Sequence, residues 1–302
     1  MIISASYKTD IPAFYGEWFV KRLNAGYCTV PNPNANGVSR VSLDPSDVDG
    51  FVFWTKNLGP FLRCLPPVAR MGRPFYVQYT INGYPRALES DVTPLTHSIR
   101  HVKEVVGDYG VGTVVWRYDT IVMSSLTPAD FHLRTFARIA RSLEGLADEV
   151  VVSFMHIYRK TRQHLVEAAR ECGFKWTLPS ASQRSELLAQ LVDIGRRHGV
   201  MLSVCSQPEG FVPGAQVARC MDARRLSKLA GEPIRARLRG NRSGCGCYVA
   251  RDVGEYDTCP QGCVYCYAVH DQTLAKRRFK LHDPDSESLS PPPPDWPPEI
   301  PP

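Results

Sequence analysis

The feature that most constrains this chain is a cysteine-rich stretch near its C-terminus, residues 245–268. Five of the ten cysteines fall within it, in the order CGCYVARDVGEYDTCPQGCVYCYA. The last three, Cys259, Cys263 and Cys266, follow the spacing C-x3-C-x2-C. Thiolates this close repel one another and oxidise readily unless they hold a metal, and thiolate ligands suit iron–sulfur clusters and zinc. The spacing predicts a [4Fe–4S] cluster in which each thiolate binds a different iron and the fourth iron stays open.

The same residues carry a resemblance to known families. Cys259-Pro-Gln-Gly-Cys263-Val-Tyr265-Cys266 resembles the C-x3-C-x-aromatic-C signature of radical S-adenosylmethionine (radical SAM) enzymes, with Tyr265 at the aromatic position. The whole chain up to residue 282 also resembles an uncharacterised bacterial family, domain of unknown function 1848 (DUF1848). That likeness is carried by the opening IISASYKTDIPAFYGEWF, by FVFWTKN, and by the terminal CGC…RDVGEYDTC…GCVYCYA.

The resemblance implies a radical-SAM-like barrel with S-adenosylmethionine (SAM) bound at the open iron of the cluster. It further implies a one-electron donor such as flavodoxin or ferredoxin, and a small-molecule or peptide substrate in the barrel mouth. The chain departs from the usual pattern in one respect. In radical SAM enzymes the three cysteines usually follow the first barrel strand, whereas here they lie near the C-terminus.

Short apolar segments alternate with helical patterns over residues 1–205, which is typical of a parallel sheet with helices outside it. Strands are expected at residues 2–5, 51–55, 75–81, 113–116, 150–154 and 200–204. The fold class is therefore predicted to be α/β, a partial parallel (β/α)6 TIM-like barrel. Helices at 216–230 and 266–280 and the cysteine-rich cluster-binding segment are expected in a second region, 206–282, with no further strand. Residues 283–302 are predicted to form a proline-rich disordered tail.

Polar side chains stand at the ends of the predicted strands, where parallel barrels build their sites. The predicted catalytic residues are Lys56, Asp119 and His156, and the predicted cofactor-binding residues are Gln78, Arg117 and Tyr265. Lys56, Gln78, Arg117 and Asp119 are all candidate partners for the carboxylate and ammonium groups in the methionine part of SAM. The alternative is that these side chains cap helices or pair with each other, as Arg117 and Asp119 can.

Four further cysteines suggest a second metal centre. Cys205 ends the sixth strand, Cys220 follows it, and Cys245 and Cys247 form a C-x-C pair. Four thiolates are the number required by a structural zinc or by a fully ligated second iron–sulfur cluster. Alternatively, Cys205 or Cys220 is a small buried hydrophobe and Cys245 or Cys247 is the fourth ligand of the first cluster. The isolated cysteines, Cys28, Cys64 and Cys172, are expected to be inert.

The sequence pattern favours a cytoplasmic protein. The net charge is consistent either with an anionic ligand or with a solvated basic surface. No run of about 18 apolar residues is long enough for a membrane span, and the N-terminus lacks the pattern of a signal peptide. Residues 283–302 hold five acids and no Lys or Arg, so the remainder carries a net charge of +11, from 36 basic and 25 acidic residues. Such a body attracts nucleic acid or anionic substrates, or is an arginine-rich solvated surface.

Three functions follow from these observations. The first is a radical-SAM-like iron–sulfur enzyme. The second is a metal or redox enzyme that uses two iron–sulfur centres without SAM. The third is a non-catalytic zinc protein that binds nucleic acid.

Overall fold

The structure is a computed structural model that describes residues 1–31, 37–207, 212–240 and 244–290. In chain order its strands are β1 (Ile2–Ala5), β2 (Tyr27–Pro31), β3 (Val38–Ser42), β4 (Gly50–Thr55), β5 (Phe75–Thr80), β6 (Val114–Ile121), β7 (Met123–Ser124), β8 (Glu149–Phe154), β9 (Trp176–Thr177), β10 (Met201–Val204), β11 (Gln216–Val217) and β12 (Ala250–Asp252). The α-helices are α1 (Ile11–Phe14), α2 (Gly16–Ala25), α3 (Leu65–Ala69), α4 (Leu95–Tyr109), α5 (Ala129–Ser142), α6 (Arg159–Cys172), α7 (Ala181–Arg197), α8 (Ala223–Ala230) and α9 (Gln272–Lys280), and a 3-10 helix spans Gly59–Cys64.

The centre of the fold is an eight-stranded sheet in which every neighbouring pair is parallel. The strand order is β11-β10-β8-β6-β5-β4-β1-β12. From β1 to β11 the strands follow in chain order, whereas β12 returns beside β1, so β11 and β12 stand at the two edges. The predicted α/β class with a parallel sheet is confirmed. The excursion between β1 and β4 forms the antiparallel hairpin β2–β3.

The two faces of the sheet bury different clusters, because successive side chains of a strand point to opposite faces. One face packs against helices, with Trp18 and Phe19 of α2 and Phe136 of α5 in the same core as Phe53 and Trp116. The other face carries a second cluster, to which five neighbouring strands contribute one residue each: Ile2, Val52, Tyr76, Val115 and Val151.

Two residues further along these strands, most positions on the second face are polar. The positions there are Ser4, Trp54, Gln78, Arg117 and Ser153. They lie at the carboxyl ends of the strands, above the apolar cluster, and this arrangement positions the candidate site.

The structure differs from the sequence prediction after residue 205. Two strands lie where none was predicted: β11 pairs with β10, and β12 pairs with β1, both in parallel. The sheet therefore has eight strands rather than six. The helix expected at 216–230 begins only at Ala223, because Gln216 and Val217 are extended, and the helix expected at 266–280 begins at Gln272.

Residues 283–290, the start of the predicted tail, also differ from the prediction because they pack on the body. Trp18 donates its indole N–H to the Ser286 carbonyl at 2.9 Å, Thr29 N donates to the Glu287 carbonyl at 2.9 Å, and Leu289 is buried in the core. The prediction for residues 291–302 lies outside the described residues. No helix in the described part of the chain is both long enough and apolar enough to cross a bilayer.

Candidate functional site

A cavity of about 740 Å³ opens at the carboxyl ends of the parallel strands. Its walls include seven of the ten cysteines: Cys205, Cys220, Cys245, Cys247, Cys259, Cys263 and Cys266. The predicted residues Lys56, Arg117, Asp119, His156 and Tyr265 line it as well. The structure therefore brings together every predicted site residue but one.

Gln78 is the exception, since it lies beneath the cavity wall and is almost fully buried. Its amide nitrogen donates to the Cys220 carbonyl at 2.9 Å, and its amide oxygen accepts from Arg117 Nη1 at 3.2 Å. Gln78 thus holds Arg117 and the chain at Cys220 in place, whereas the prediction placed its side chain in the cavity mouth.

The loop that carries Cys259, Cys263 and Cys266 runs between β12 and α9 and is anchored to residues 88–89. Val264 N donates to the Leu88 carbonyl at 3.2 Å, and Cys263 forms a β-bridge with Glu89. Burial raises the pKa of all three thiols. They are therefore protonated at neutral pH unless a cation compensates the thiolate charge.

A buried hydrogen-bond network joins this loop to the ends of β4 and β5. Lys56 Nζ lies 2.8 Å from Glu89 Oε1 and 2.9 Å from the Tyr265 hydroxyl, which itself donates to Glu89. Asn82 Nδ2 lies 3.1 Å from both the Glu89 carboxylate and the Tyr265 hydroxyl. Burial lowers the pKa of Lys56, but the charge of Glu89 and its hydrogen bond to Lys56 outweigh burial and raise the pKa above its usual value. Lys56 is therefore a cation beside the cysteine loop.

Sequence reasoning missed Glu89 and Asn82. Asn82 stands two residues after β5, and Glu89 lies in the irregular segment before α4. The position of Asn82 just past a strand was a usable signal, whereas nothing in the sequence around Glu89 marks it as buried.

Arg117 and Asp119 form an ion pair within the cavity wall. Arg117 Nη2 lies 2.5 Å from Asp119 Oδ2, and Ser153 donates its hydroxyl to Asp119 Oδ1. The guanidinium also lies 4.9 Å from the ring centre of Trp54, in cation–π contact. Burial raises the pKa of Asp119, but Arg117 and the Ser153 hydrogen bond outweigh it, so the pKa falls below its usual value. Asp119 is therefore ionised at neutral pH.

Near β1 and β12 lie two buried carboxylates that are not among the predicted catalytic and cofactor-binding residues: Asp10, which lines the cavity, and Asp252. Asp252 accepts from the hydroxyls of Ser4 and Ser6 at 2.6 and 2.8 Å, and burial raises its pKa. Asp10 caps α1 and accepts from Lys56 N at 2.7 Å, and burial raises its pKa to about 6. His156, by contrast, is solvent-exposed at the cavity mouth and packs against Tyr158.

The remaining four cysteines of the cavity include one pair in sulfur contact. Cys205 Sγ lies 3.8 Å from Cys220 Sγ, and Cys245 and Cys247 line the same cavity. Arg117 Nη1 lies 3.0 Å from Cys220 Sγ, and Met221 N donates to Cys247 Sγ at 3.4 Å.

Cys28 and Cys64 belong to the helix-facing core, and Cys172 is exposed at the end of α6. Among the described residues, no group of three or more His, Cys, Asp or Glu side chains is arranged as the ligands of one metal ion.

Comparison with known proteins identifies the family of the chain. Residues 2–268 match the family model described as a domain of unknown function, DUF1848, and the chain belongs to that family. No curated protein and no solved structure matches it.

Proposed function

We propose that this DUF1848 protein is an iron–sulfur enzyme of the radical SAM type. In this proposal Cys259, Cys263 and Cys266 hold a [4Fe–4S] cluster, SAM binds its open iron, and the substrate is a small molecule or peptide. The site is the mouth of a TIM-like barrel formed by the eight-stranded sheet. The observation that carries the proposal is that the three thiols line the same cavity as Lys56, Arg117 and Asp119, at the carboxyl ends of the strands.

The donor set fits a cluster better than a single ion. The three thiols are buried, and their raised pKa values mean that thiolates there need a compensating cation. They are not arranged round one point, as the ligands of a lone ion would be. A [4Fe–4S] cube takes each thiolate at a different iron, so its ligands stand apart from one another.

A cluster of this kind supplies one-electron chemistry on SAM, and the protein supplies binding and orientation. Tyr265, held by Lys56 and Glu89, fixes the loop on which the cysteines lie. Asp119 offers an ionised carboxylate to an ammonium group, while Lys56 and Arg117 make the same wall attractive to a carboxylate. Trp54 and Met155 line the cavity with apolar surface suited to an adenine ring.

Anaerobic reconstitution tests the proposal. The purified full chain, treated with iron and sulfide, is expected to bind four of each and to form 5′-deoxyadenosine when SAM and dithionite are added. In the cell, a flavodoxin or ferredoxin in the cytoplasm would take the place of dithionite. Failure to bind iron, by the wild type under these conditions, would overturn the proposal.

A SAM-independent redox or metal enzyme is the second candidate, because a second group of four thiols lines the same cavity. The two candidates differ in one result. A bound cluster with no 5′-deoxyadenosine, across varied peptide and small-molecule substrates, would select the second over the first.

A further inference from the structure

The helix α6 begins at the mouth of the cavity. Its N-cap residue Tyr158 and its second residue Lys160 both line the cavity wall. Arg162 N donates to the Tyr158 carbonyl at 3.0 Å, so the helical hydrogen bonds start there and the N–H groups of residues 159–161 have no partner within the helix. Free backbone donors and the positive end of the helix dipole therefore lie beside the mouth.

The side chains of this first turn do not compensate the helix dipole. The N-cap side chain makes no capping hydrogen bond, and the first turn contains no acid but begins with Arg159 and Lys160. Cations at a helix N-terminus are unfavourable, whereas anions there are stabilising. The turn is therefore suited to a bound anion, as are the helix N-termini that bind phosphate in other proteins.

Two lysine ammonium groups converge at the same mouth, beside the ring of Tyr256. Lys160 Nζ lies 5.4 Å and Lys8 Nζ lies 5.5 Å from the centre of that ring, and all three residues line the cavity. Lys8 is partly neutralised, since its Nζ lies 3.8 Å from Asp252 Oδ1. Lys160 forms no ion pair within the described part of the chain. An anion between the two ammonium groups would remove their mutual repulsion.

Two almost fully buried polar side chains, one in this turn and one on the cysteine loop, lack hydrogen-bond partners among the residues that the structure describes. They are the hydroxyl of Thr161 and both amide atoms of Gln261, and Gln261 lines the cavity. α6 packs near that loop through Leu165, which shares a hydrophobic cluster with Cys263. Because a buried donor or acceptor without a partner is costly, a ligand is the expected partner.

We propose that the cavity takes a small molecule that carries a phosphate group, and that Lys8, Lys160 and the first turn of α6 bind this phosphate at the mouth. A phosphate monoester carries roughly two negative charges at neutral pH, so it can face both ammonium groups. Its oxygens accept hydrogen bonds from the free N–H groups of the helix. A carboxylate has a single charge and would leave one lysine uncompensated.

The inference deepens the proposed function by naming its substrate class, and it rests on that function for the role of the cavity as a substrate site. In this arrangement the rest of the molecule extends from the mouth into the cavity. There the Gln261 amide offers a donor and an acceptor on the loop that carries the signature cysteines.

Calorimetric titration of the purified full chain with inorganic phosphate, at constant ionic strength, tests the site. The wild type is expected to bind one phosphate, and Lys160→Met and Lys8→Met should each raise the Kd at least about 10-fold, through the loss of one charge-assisted contact. Lys160→Arg keeps the charge and should keep most of the affinity. Lys103→Met is the matched control, because Lys103 is exposed on α4 and outside the cavity.

Three results would overturn the proposal: wild-type affinity in Lys160→Met, an equal loss in Lys103→Met, or acetate that binds the wild type as tightly as phosphate does. The titration is carried out before and after reconstitution with iron and sulfide. Phosphate binding without formation of 5′-deoxyadenosine from SAM would leave the anion site standing while the proposed function fails.

A second measurement uses the wild type alone, so it survives variants that fail to fold. Lysine amines are acylated with and without phosphate, and the modified residues are identified by mass spectrometry. Lys8 and Lys160 are expected to react about 10-fold more slowly when phosphate is present at about ten times its Kd, and Lys103 is expected to react at an unchanged rate. A Lys160 amine that phosphate does not protect would contradict the proposal.

Discussion

The Lys56 ammonium lies 2.9 Å from the Tyr265 hydroxyl, although 209 residues separate the two along the chain. This contact joins the end of a central strand to the cysteine signature, and Glu89 completes it from a third segment. The cysteine loop near the C-terminus is thereby brought to the carboxyl ends of the strands, where parallel α/β folds build their sites.

The buried Lys56–Glu89 pair is expected to be necessary for stability. Lys56→Met leaves the Glu89 carboxylate, of which only 3% is exposed, without its cation, and should cost roughly 3 kcal/mol of unfolding free energy. Urea unfolding measures this loss of unfolding free energy. The double variant K56M/E89Q should recover a large part of the loss, since no uncompensated charge remains.

Lys276→Met is the control, because its pair with Asp91 is exposed and should change the free energy of unfolding by less than about 0.5 kcal/mol. A K56M variant as stable as K276M would contradict this reading of the network.

The Tyr265 hydroxyl is expected to affect chemistry more than cluster binding. Tyr265→Phe keeps the ring beside Cys266 but removes the bonds to Lys56 and Glu89. The variant should bind iron and sulfide like the wild type and form 5′-deoxyadenosine at least about 10-fold more slowly, a loss of about 1.4 kcal/mol in the barrier. Tyr109→Phe, on α4 at the helix-facing side, is the matched control. Equal rates for Y265F and the wild type would remove Tyr265 from the site.

Gly262 is expected to be required for the fold of the cysteine loop. It has φ of +74°, and a Cβ there would meet Ser90 Oγ and come within 3.0 Å of Asp91 Oδ2. Gly145 has nearly the same φ, +73°, with no atom within 4 Å of the added Cβ. Gly145→Ala should therefore cost only the backbone term of about 1 kcal/mol, and Gly262→Ala should cost more and reduce the iron bound. Thermal unfolding and iron analysis check both, and equal effects of the two substitutions would show that the Ser90 contact is unimportant.

His132 is expected to make the free energy of unfolding depend on pH. Burial lowers the pKa of His132 to about 4, and its ring lies between the Tyr118 hydroxyl and the Val122 carbonyl. An unfolded histidine has a pKa near 6.5, so between about pH 6.5 and 4 the unfolded state binds a proton that the folded state does not. The stability from this residue is complete above pH 6.5 and falls by roughly 3 kcal/mol as the pH drops to 4.

Denaturant unfolding at several pH values measures this dependence. In His132→Gln the free energy of unfolding should change less with pH between 6.5 and 4, because the His132 contribution is absent. His97→Asn, at an exposed position, should keep the wild-type pH dependence. If H132Q keeps the wild-type pH dependence, groups other than His132 cause the loss of stability at low pH.

Much of the fold could be predicted because the central strands are visible in the sequence as apolar segments. The segments predicted as strands at 2–5, 51–55 and 150–154 are mainly apolar, and the structure has strands at Ile2–Ala5, Gly50–Thr55 and Glu149–Phe154. β11 and β12 could not be found this way. Gln216–Val217 and Ala250–Asp252 are too short and too polar to show a pattern, and pairing with β10 and β1 is what makes them strands.

Site residues could be predicted only where their residue type, spacing or position after a strand indicates a chemical role. Cysteines at metal-ligand spacing and polar residues just after strands are visible in sequence, and the cavity contains them. Gln78 was misplaced because the Cys220 carbonyl and the Arg117 guanidinium, which only the fold brings against it, bind its amide group. Glu89 was missed because its burial depends on Lys56, Asn82 and Tyr265, which only the fold brings together. Leu289 likewise follows a polar, proline-flanked segment but is buried against the body.

Electron paramagnetic resonance of the anaerobically reconstituted, dithionite-reduced protein, recorded with and without SAM, tests the central claim most directly. The account predicts the signal of one reduced [4Fe–4S] cluster that shifts when SAM is added, because SAM binds the open iron, and that is absent from C259S/C263S/C266S. A cluster signal that persists in the triple variant, or one that SAM leaves unchanged, would contradict the account.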